Sequence, residues 1–186
     1  MIQDNRGLLW FGTYGGGVSV YNGIEFKTYN TNNGLSDNVV NCLFQDSQDN
    51  IWFGGDFNTI TYFDGKEFHQ IDNVDELQNM SIHKIVEDKN GNLWFASRSN
   101  GLAMFDGEHF HSFNRENGLS SNRIYDLNTD SNGDVLISTA RVGIQIFKHN
   151  QWQTYLPNIN YDRSYVSSFF LEDDNTIWLN TDDAFI

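Results

Sequence analysis

The chain is poor in the residues that staple, kink or neutralise a fold. Its 186 residues include one proline, one cysteine, and 11 lysines and arginines against 25 acidic residues, a formal net charge of −14. A single cysteine, Cys42, rules out an internal disulfide and says nothing about redox compartment. The place of Cys42 is taken 42 residues further on, in turn, by Lys84, Asp126 and Ser168, and no His–Asn partnering is visible. Cys42 therefore reads as an incidental thiol and not as a nucleophile. The shortage of basic residues argues against nucleic acid, whose phosphates need clustered Lys and Arg. It argues equally against contact with anionic membrane surfaces. No apolar run approaches the roughly 20 residues of a spanning helix, and no charged n-region precedes an apolar h-region. No stretch of ten residues or more has helical periodicity, and no low-complexity linker interrupts the chain. Scarce proline with 15% aromatic residues fits strand-rich structure and not disorder.

What the chain has is a period. Trp10, Trp52 and Trp94 stand 42 residues apart, with Leu136 and then Trp178 in the next two places. Asp4, Asp46, Asp88, Asp130 and Glu172 keep the same step, as do Tyr21, Phe63, Phe105 and Phe147, and Phe26, Phe68, Phe110 and Trp152. A fixed period of about 40–45 residues marks a propeller blade or a similar unit that cannot bury its apolar faces alone. The chain holds about 4.4 such units.

Each unit reads as four short strands. In the second they are Val40–Gln45, Asn50–Gly54, Thr59–Phe63 and Glu67–Ile71, rich in aromatic and β-branched residues. Asp-led turns such as Asp88-Lys89-Asn90-Gly91 join the first two strands, and Asn22-Gly23, Asp64-Gly65 and Asp106-Gly107 join the last two. Runs such as Leu93-Trp94-Phe95-Ala96 are apolar at successive positions, as inner strands covered on both faces require. The outer strand alternates: Phe68 and Phe110 are followed by His69 and His111. The predicted fold is all-β: a β-propeller of four-stranded antiparallel blades with a 42-residue repeat, in one domain over 1–186. The repeat units are approximately 1–39, 40–81, 82–123, 124–165 and a partial 166–186. Trp10, Trp52, Trp94 and Trp178 are expected in equivalent, buried places between blades, with Trp152 also in the core. The register also predicts that the chain begins and stops inside blades, as a piece of a larger propeller. An open arc leaves strand edges and blade faces bare, which favours self-association.

Positions that all blades share are scaffold, and function is expected where they differ. The loops between second and third strands read Tyr14-Gly15, Asp56-Phe57, Arg98-Ser99, Ala140-Arg141 and Asp182-Asp183. The loops between blades contribute Asn32, Asp75, Arg115, Tyr161 and Arg163. An antiparallel blade places both loop classes at one end. Aromatic rings with Arg and Asp suit hydroxyl-rich or anionic sugars, through stacking and bidentate hydrogen bonds. The candidate ligand-binding residues are Tyr14, Asp56, Phe57, Arg98, Arg115, Arg141, Tyr161 and Arg163.

No metal, cofactor or catalytic set is expected. Asp130-Ser131-Asn132-Gly133-Asp134 only faintly resembles a calcium loop, lacking the bidentate Glu, and the same Asp-led turn recurs in every unit. Glu172-Asp173-Asp174 is similar. His109 and His111 share a strand face, but their counterparts are Glu25, Glu67 and Gln151, and Lys27, His69 and Gln153, which describes a solvated outer surface. No Ser-His-Asp order, phosphate loop or paired zinc ligands appear.

The wording of each repeat resembles the two-component regulator propeller repeat of bacterial sensor proteins. The likeness is carried by Asn92-Leu93-Trp94-Phe95, Gly101-Leu102, Phe105-Asp106-Gly107, Phe110, Phe113 and Asn117-Gly118-Leu119-Ser120-Ser121-Asn122. It recurs in Leu9-Trp10-Phe11-Gly12-Thr13, Gly16-Gly17-Val18, Tyr21-Asn22-Gly23, Phe26, Tyr29 and Asn33-Gly34-Leu35-Ser36-Asp37-Asn38. The second repeat departs with Glu76-Leu77-Gln78, and the fourth loses the Trp and carries Asn158-Ile159-Asn160-Tyr161-Asp162 in that loop. The resemblance implies a periplasmic, ligand-sensing module of a two-component receptor that binds a carbohydrate or similar nutrient and is not itself an enzyme. Two rival readings are a protein-interaction propeller and an enzyme similar to virginiamycin B lyase. The latter would need a general base and a metal-held substrate near the axis.

Overall fold

The computed structural model describes residues 1–56, 59–140, 142–155, 166–173 and 176–181. Its strands follow the period. The first sheet is β1 (Ile2–Gln3), β2 (Leu9–Gly12), β3 (Val18–Tyr21) and β4 (Phe26–Tyr29), and the second is β5 (Cys42–Gln45), β6 (Ile51–Gly54), β7 (Ile60–Phe63) and β8 (Phe68–Ile71). The third comprises β9 (Ile82–Glu87), β10 (Leu93–Ser97), β11 (Leu102–Phe105) and β12 (Phe110–Phe113). The fourth comprises β13 (Ile124–Thr129), β14 (Val135–Thr139), β15 (Gly143–Lys148) and β16 (Gln151–Thr154). A two-stranded sheet follows, β17 (Val166–Asp173) with β18 (Thr176–Thr181). In the second sheet the strands begin one or two residues later than the pattern of apolar residues suggests. There Asn41 gives its N–H to Gly54 outside the strand and Val40 gives its N–H to Thr13, just past the end of β2. The loop after β8 holds one short 3₁₀ turn, Asp75–Leu77.

The sheets are meanders in sequence order, as short two-residue hairpins dictate. The chain forms two compact units, Met1–Ile85 and Val86–Ile186. In the first, Trp10 of β2 packs on Phe53 and Phe63 of the following sheet, with ring centroids 5.8 and 5.6 Å apart, in a core with Val18, Leu35 and Val40. In the second, Trp94 meets Phe113 at 5.2 Å, and Phe147 and Trp152 of the next sheet at 5.0 and 5.8 Å. Leu136, which stands where the other sheets have Trp, lies in a smaller cluster with Ile144, Val166, Phe169 and Leu179. Strands β6, β10 and β14 are buried along their whole length, which explains their unbroken apolar runs.

Trp178 departs from expectation. It is 51% exposed, although its indole N–H donates to Glu172 Oε2 at 2.8 Å, as its counterparts' do to aspartates. The rings of Trp10 and Trp94 are covered by aromatic residues of the next sheet. Among the described residues no sheet follows β18, so the Trp178 ring meets water.

The Asp-led turns also secure the tryptophans. Asp88 Oδ1 accepts the N–H groups of Asn90 and Asn92 at 2.8 and 3.0 Å, while Oδ2 accepts the Trp94 indole N–H at 3.0 Å. Asp46 holds Trp52 at 2.7 Å and Asp4 holds Trp10 at 2.9 Å in the same way. Burial works against the charge on Asp4, but the bonds from Trp10, Leu8 and Arg6 outweigh it and hold its carboxyl below the usual range. A buried indole N–H thus finds the acceptor it needs.

Each Gly-Leu-Ser element fastens a repeat to the next. Leu35 and Leu119 are buried. The Ser36 N–H donates to Thr61 Oγ1 at 3.0 Å, and Gln70 Nε2 donates to the carbonyls of Gly34 and Leu35 at 3.2 Å each. Ser120 repeats this on the fourth sheet, giving its N–H and hydroxyl to Gln145 Oε1 at 2.9 and 2.7 Å. In the second repeat the element is Glu-Leu-Gln, and Leu77 is buried all the same.

Candidate functional site

The segment Asn38–Asn41, between the first two sheets, sets the geometry at the loop end of the first unit. On one side Asn38 accepts the N–H groups of Gly15 and Gly17 at 3.0 and 2.8 Å, and Val40 donates to Thr13 at 2.9 Å. On the other side Asn41 donates through its N–H to Gly54 at 2.8 Å and through its amide to Asp56 Oδ1 at 2.8 Å. The β2–β3 loop, with Tyr14, and the β6–β7 loop, with Asp56, therefore flank one segment at one end of the sheets. Tyr14 is 85% exposed. Asp56 is half-buried and already engaged, accepting from Asn41 and from the Ser81 hydroxyl. Its bonds tie the β6–β7 loop to the segments on both sides. Asp75 opens the 3₁₀ turn and accepts from Gln78 Nε2 at 2.8 Å.

In the second unit the equivalent hub is Asn122. Its carbonyl accepts the Gly101 N–H at 2.8 Å and its side chain accepts the Arg115 N–H at 2.7 Å. Arg98, in the β10–β11 loop, and Arg115, after β12, are both exposed. Neither guanidinium is bonded to a described residue. Phe57, Arg141, Tyr161 and Arg163 lie outside the described residues. Arg123, next to Asn122, was not among the residues that the sequence singles out, because it falls at the very end of its loop. The signal was its place in the period, one step of 42 beyond Ser81.

The opposite, hairpin end carries different chemistry. In the second unit a cavity of 790 Å³ is lined by Asp88, Asn92, His111, Phe113, Asp134 and Lys148, among others. Asp134 pairs with Lys89 at 2.6 Å and Lys148 at 3.2 Å. Burial opposes its charge, yet the two ammonium groups hold the carboxyl below its ordinary range. In the outer hairpins His69 meets Asp64 at 3.0 Å and His111 meets Asp106 at 2.8 Å. The Asp64 carboxyl is held well below the usual range by the Glu67 N–H, the His69 ring and the Lys66 N–H. Ligand atoms of Asp64, Glu67 and His69 lie within 4.8 Å of one another, on an exposed surface where such groups are common without an ion. The Asp130 carboxylate is taken up by its own turn, accepting the N–H groups of Asn132 and Asp134 at 2.9 and 2.8 Å. Glu172 accepts from Trp178, and Asp174 lies outside the described residues. Burial pushes the Cys42 thiol up to about 12, which removes it as a nucleophile.

Serial four-stranded antiparallel sheets, tied loop to sheet, define a β-propeller array. The repeats at residues 34–57 and 76–99 match the family model of the two component regulator propeller. No curated protein matches the chain. Among solved structures, the chain is similar to the extracellular domain assigned to the hybrid two component system BT3049 of B. thetaiotaomicron. The identity is 25% and the TM-score 0.77, over 96% of this chain and 25% of that one. The extracellular domain assigned to the one component system BT4673 of the same organism matches at 21% identity and TM-score 0.74, over 97% of this chain and 24% of that one. Virginiamycin B lyase of Staphylococcus aureus, crystallised with quinupristin, matches at 16% identity and TM-score 0.72, over 96% and 61%. The chain thus spans about a quarter of the length of the two extracellular domains. Among the described residues no helix is long and apolar enough to cross a membrane.

Proposed function

We propose that this chain is part of the extracytoplasmic, ligand-binding propeller of a two-component signalling receptor, and that its loop end takes a carbohydrate or similar small polar ligand. The observation that carries the reading is the division of labour in the loops. Hydrogen-bonded residues such as Asn38, Asn41 and Asn122 build the frame. In the first unit the side chain of Tyr14, and in the second those of Arg98 and Arg115, are left over by this frame and stand exposed. An exposed aromatic ring suits stacking on a saccharide, and free guanidinium groups suit bidentate bonding to one, each within its own unit. The likeness to extracellular domains of signalling proteins supports the extracytoplasmic location and the sensing role. The lyase shares the fold alone at its level of identity.

The test is calorimetric titration of the intact parent protein with an oligosaccharide panel, beside the triple variant Phe57→Ala, Arg98→Ala, Arg141→Ala. Binding to the parent that weakens by about tenfold or more in the variant supports the reading, since each lost charge-assisted bond is among the stronger contacts of a polar site. Unchanged titrations refute it.

A further inference from the structure

We infer that Arg98, Arg115 and Arg123 form one anion-binding subsite at the loop end of the third sheet, so that the ligand there carries carboxylate or sulfate groups. This rests on the loop end being the ligand-binding surface, as proposed above, and names the chemistry it selects.

Asn122 brings the three together. Its carbonyl takes the Gly101 N–H from the loop that holds Arg98, its side chain takes the N–H of Arg115, and Arg123 is its neighbour in the chain. The repeat shows how close the first and last of these positions are. Arg98 and Arg123 correspond to Tyr14 and Val39 in the first repeat and to Asp56 and Ser81 in the second. Tyr14 and Val39 form a β-bridge, and the Ser81 hydroxyl donates to the Asp56 carboxylate. The first repeat therefore fills this pair of places with an aromatic and an aliphatic residue, and the second fills it with a self-satisfied acid and hydroxyl. The third fills it with two guanidinium groups.

All three arginines are exposed, and none of their side chains makes a hydrogen bond or ion pair with a described residue. Glu116, the acidic residue beside Arg115, makes no ion pair with them. Uncompensated guanidinium groups gathered at one loop end repel one another, and an oxyanion seated among them relieves that repulsion while accepting paired N–H bonds from their planar forks. The setting sharpens the selection. The chain carries a net charge of −14, and five of its six arginines, at 98, 115, 123, 141 and 163, fall in loops of this class within the third and fourth repeats. A negatively charged ligand is repelled by most of the surface and attracted here.

The experiment titrates the intact parent protein with a sulfated disaccharide, a uronic-acid disaccharide, a neutral disaccharide of the same size, and inorganic sulfate. Variants are Arg98→Gln with Arg123→Gln, Arg115→Gln alone, and Arg98→Lys. At least one charged disaccharide should bind, and the pair of glutamines should weaken it by about tenfold or more, because two forked, charge-assisted contacts are lost. Arg98→Lys should retain part of the affinity, keeping charge but losing the fork. Raising salt from about 0.05 to 0.5 M should weaken the charged ligand and leave the neutral one unaffected. Whether the sulfated or the carboxylated ligand responds identifies the anion. The unfolding midpoint should not move, since the side chains are exposed and unpaired. Equal binding of charged and neutral disaccharides, indifferent to these variants, overturns the anion assignment and leaves the ligand-binding reading intact. Binding of inorganic sulfate while no saccharide binds marks an adventitious ion only and overturns the assignment of an anionic saccharide, and no binding by any probe removes both readings.

Discussion

Asp88→Ala should destabilise the unit that contains it by about 3–5 kcal/mol, and Asp130→Ala by only about 1–2 kcal/mol. Both residues lead the same kind of turn. Asp130 accepts two backbone N–H groups, and Asp88 accepts the equivalent two. Subtracting one variant from the other cancels the turn and leaves two further bonds to Asp88, from Asn92 Nδ2 at 2.9 Å and from the Trp94 indole at 3.0 Å. The Asn92 amide is near the surface and can turn to water. Trp94 is fully buried, so its N–H is stranded, and an orphaned buried donor costs about 1–3 kcal/mol. That figure is the expected difference between the two variants. Urea unfolding followed by tryptophan fluorescence supplies the midpoints, compared at a common m-value. A double-mutant cycle with Trp94→Phe, which keeps an aromatic ring and deletes the N–H, isolates the bond. In the phenylalanine background Asp88→Ala should cost no more than Asp130→Ala. If the two alanine variants agree within about 0.5 kcal/mol, or the cycle shows no coupling, the indole bond contributes nothing and the reasoning fails.

Three further outcomes are expected. Gly101→Ala should cost roughly 3 kcal/mol, because φ is +81° there and a Cβ would fall 2.1 Å from the Phe113 carbonyl oxygen; Gly107→Ala, at φ +98° in open space, should cost only about 1 kcal/mol, and equal costs would refute the steric argument. Cys42 should resist thiol reagents in the native protein and react on unfolding, since burial raises its pKa to about 12; rapid native labelling would contradict this. Asp64 ionises more readily folded than unfolded, so its contribution is present above its ordinary value of 3.8 and is lost as pH falls through the lower folded value. The stability gap between the native protein and Asp64→Asn should therefore be flat near neutrality and narrow below about pH 4, and a gap that widens with acid would reverse the sign of the argument.

The 42-residue step made the sheets legible, because Trp10, Trp52 and Trp94 are large and buried, and such places tolerate few substitutes. The bond from each tryptophan to the acid six residues earlier was equally present in the letters. Asp4 with Trp10 and Glu172 with Trp178 keep the pairing, and Leu136 breaks it. It went unread because aspartate at a turn already has a sufficient reason to be there. Trp178 shows the reverse limit: a sequence position fixes a bond to a near neighbour, while burial depends on which sheet lies over the ring. At the candidate site the loop residues could be sorted from the frame by their variation. What variation could not tell is that Asp56 spends its carboxylate on Asn41 and Ser81, whereas Arg98 has no such engagement. Arg123 was hidden because loop and strand share one boundary residue there.

The clasp made by Leu35 and Ser36 on the second sheet, and by Leu119 and Ser120 on the fourth, shifts the boundary of the cooperative unit away from the boundary of the sheet. Four strands taken alone would leave their own clasp behind and expose the groove that receives the preceding one. A transplantable module therefore runs from one clasp to the next, and a duplication or deletion respecting that frame regenerates a complete joint on both sides. Damage falls on the joint: a polar substitution at Leu119 enters a core shared by the third and fourth sheets and loosens both. Within each unit the earlier repeat holds the key to its successor, and change in one is constrained by the seat it must fit in the next.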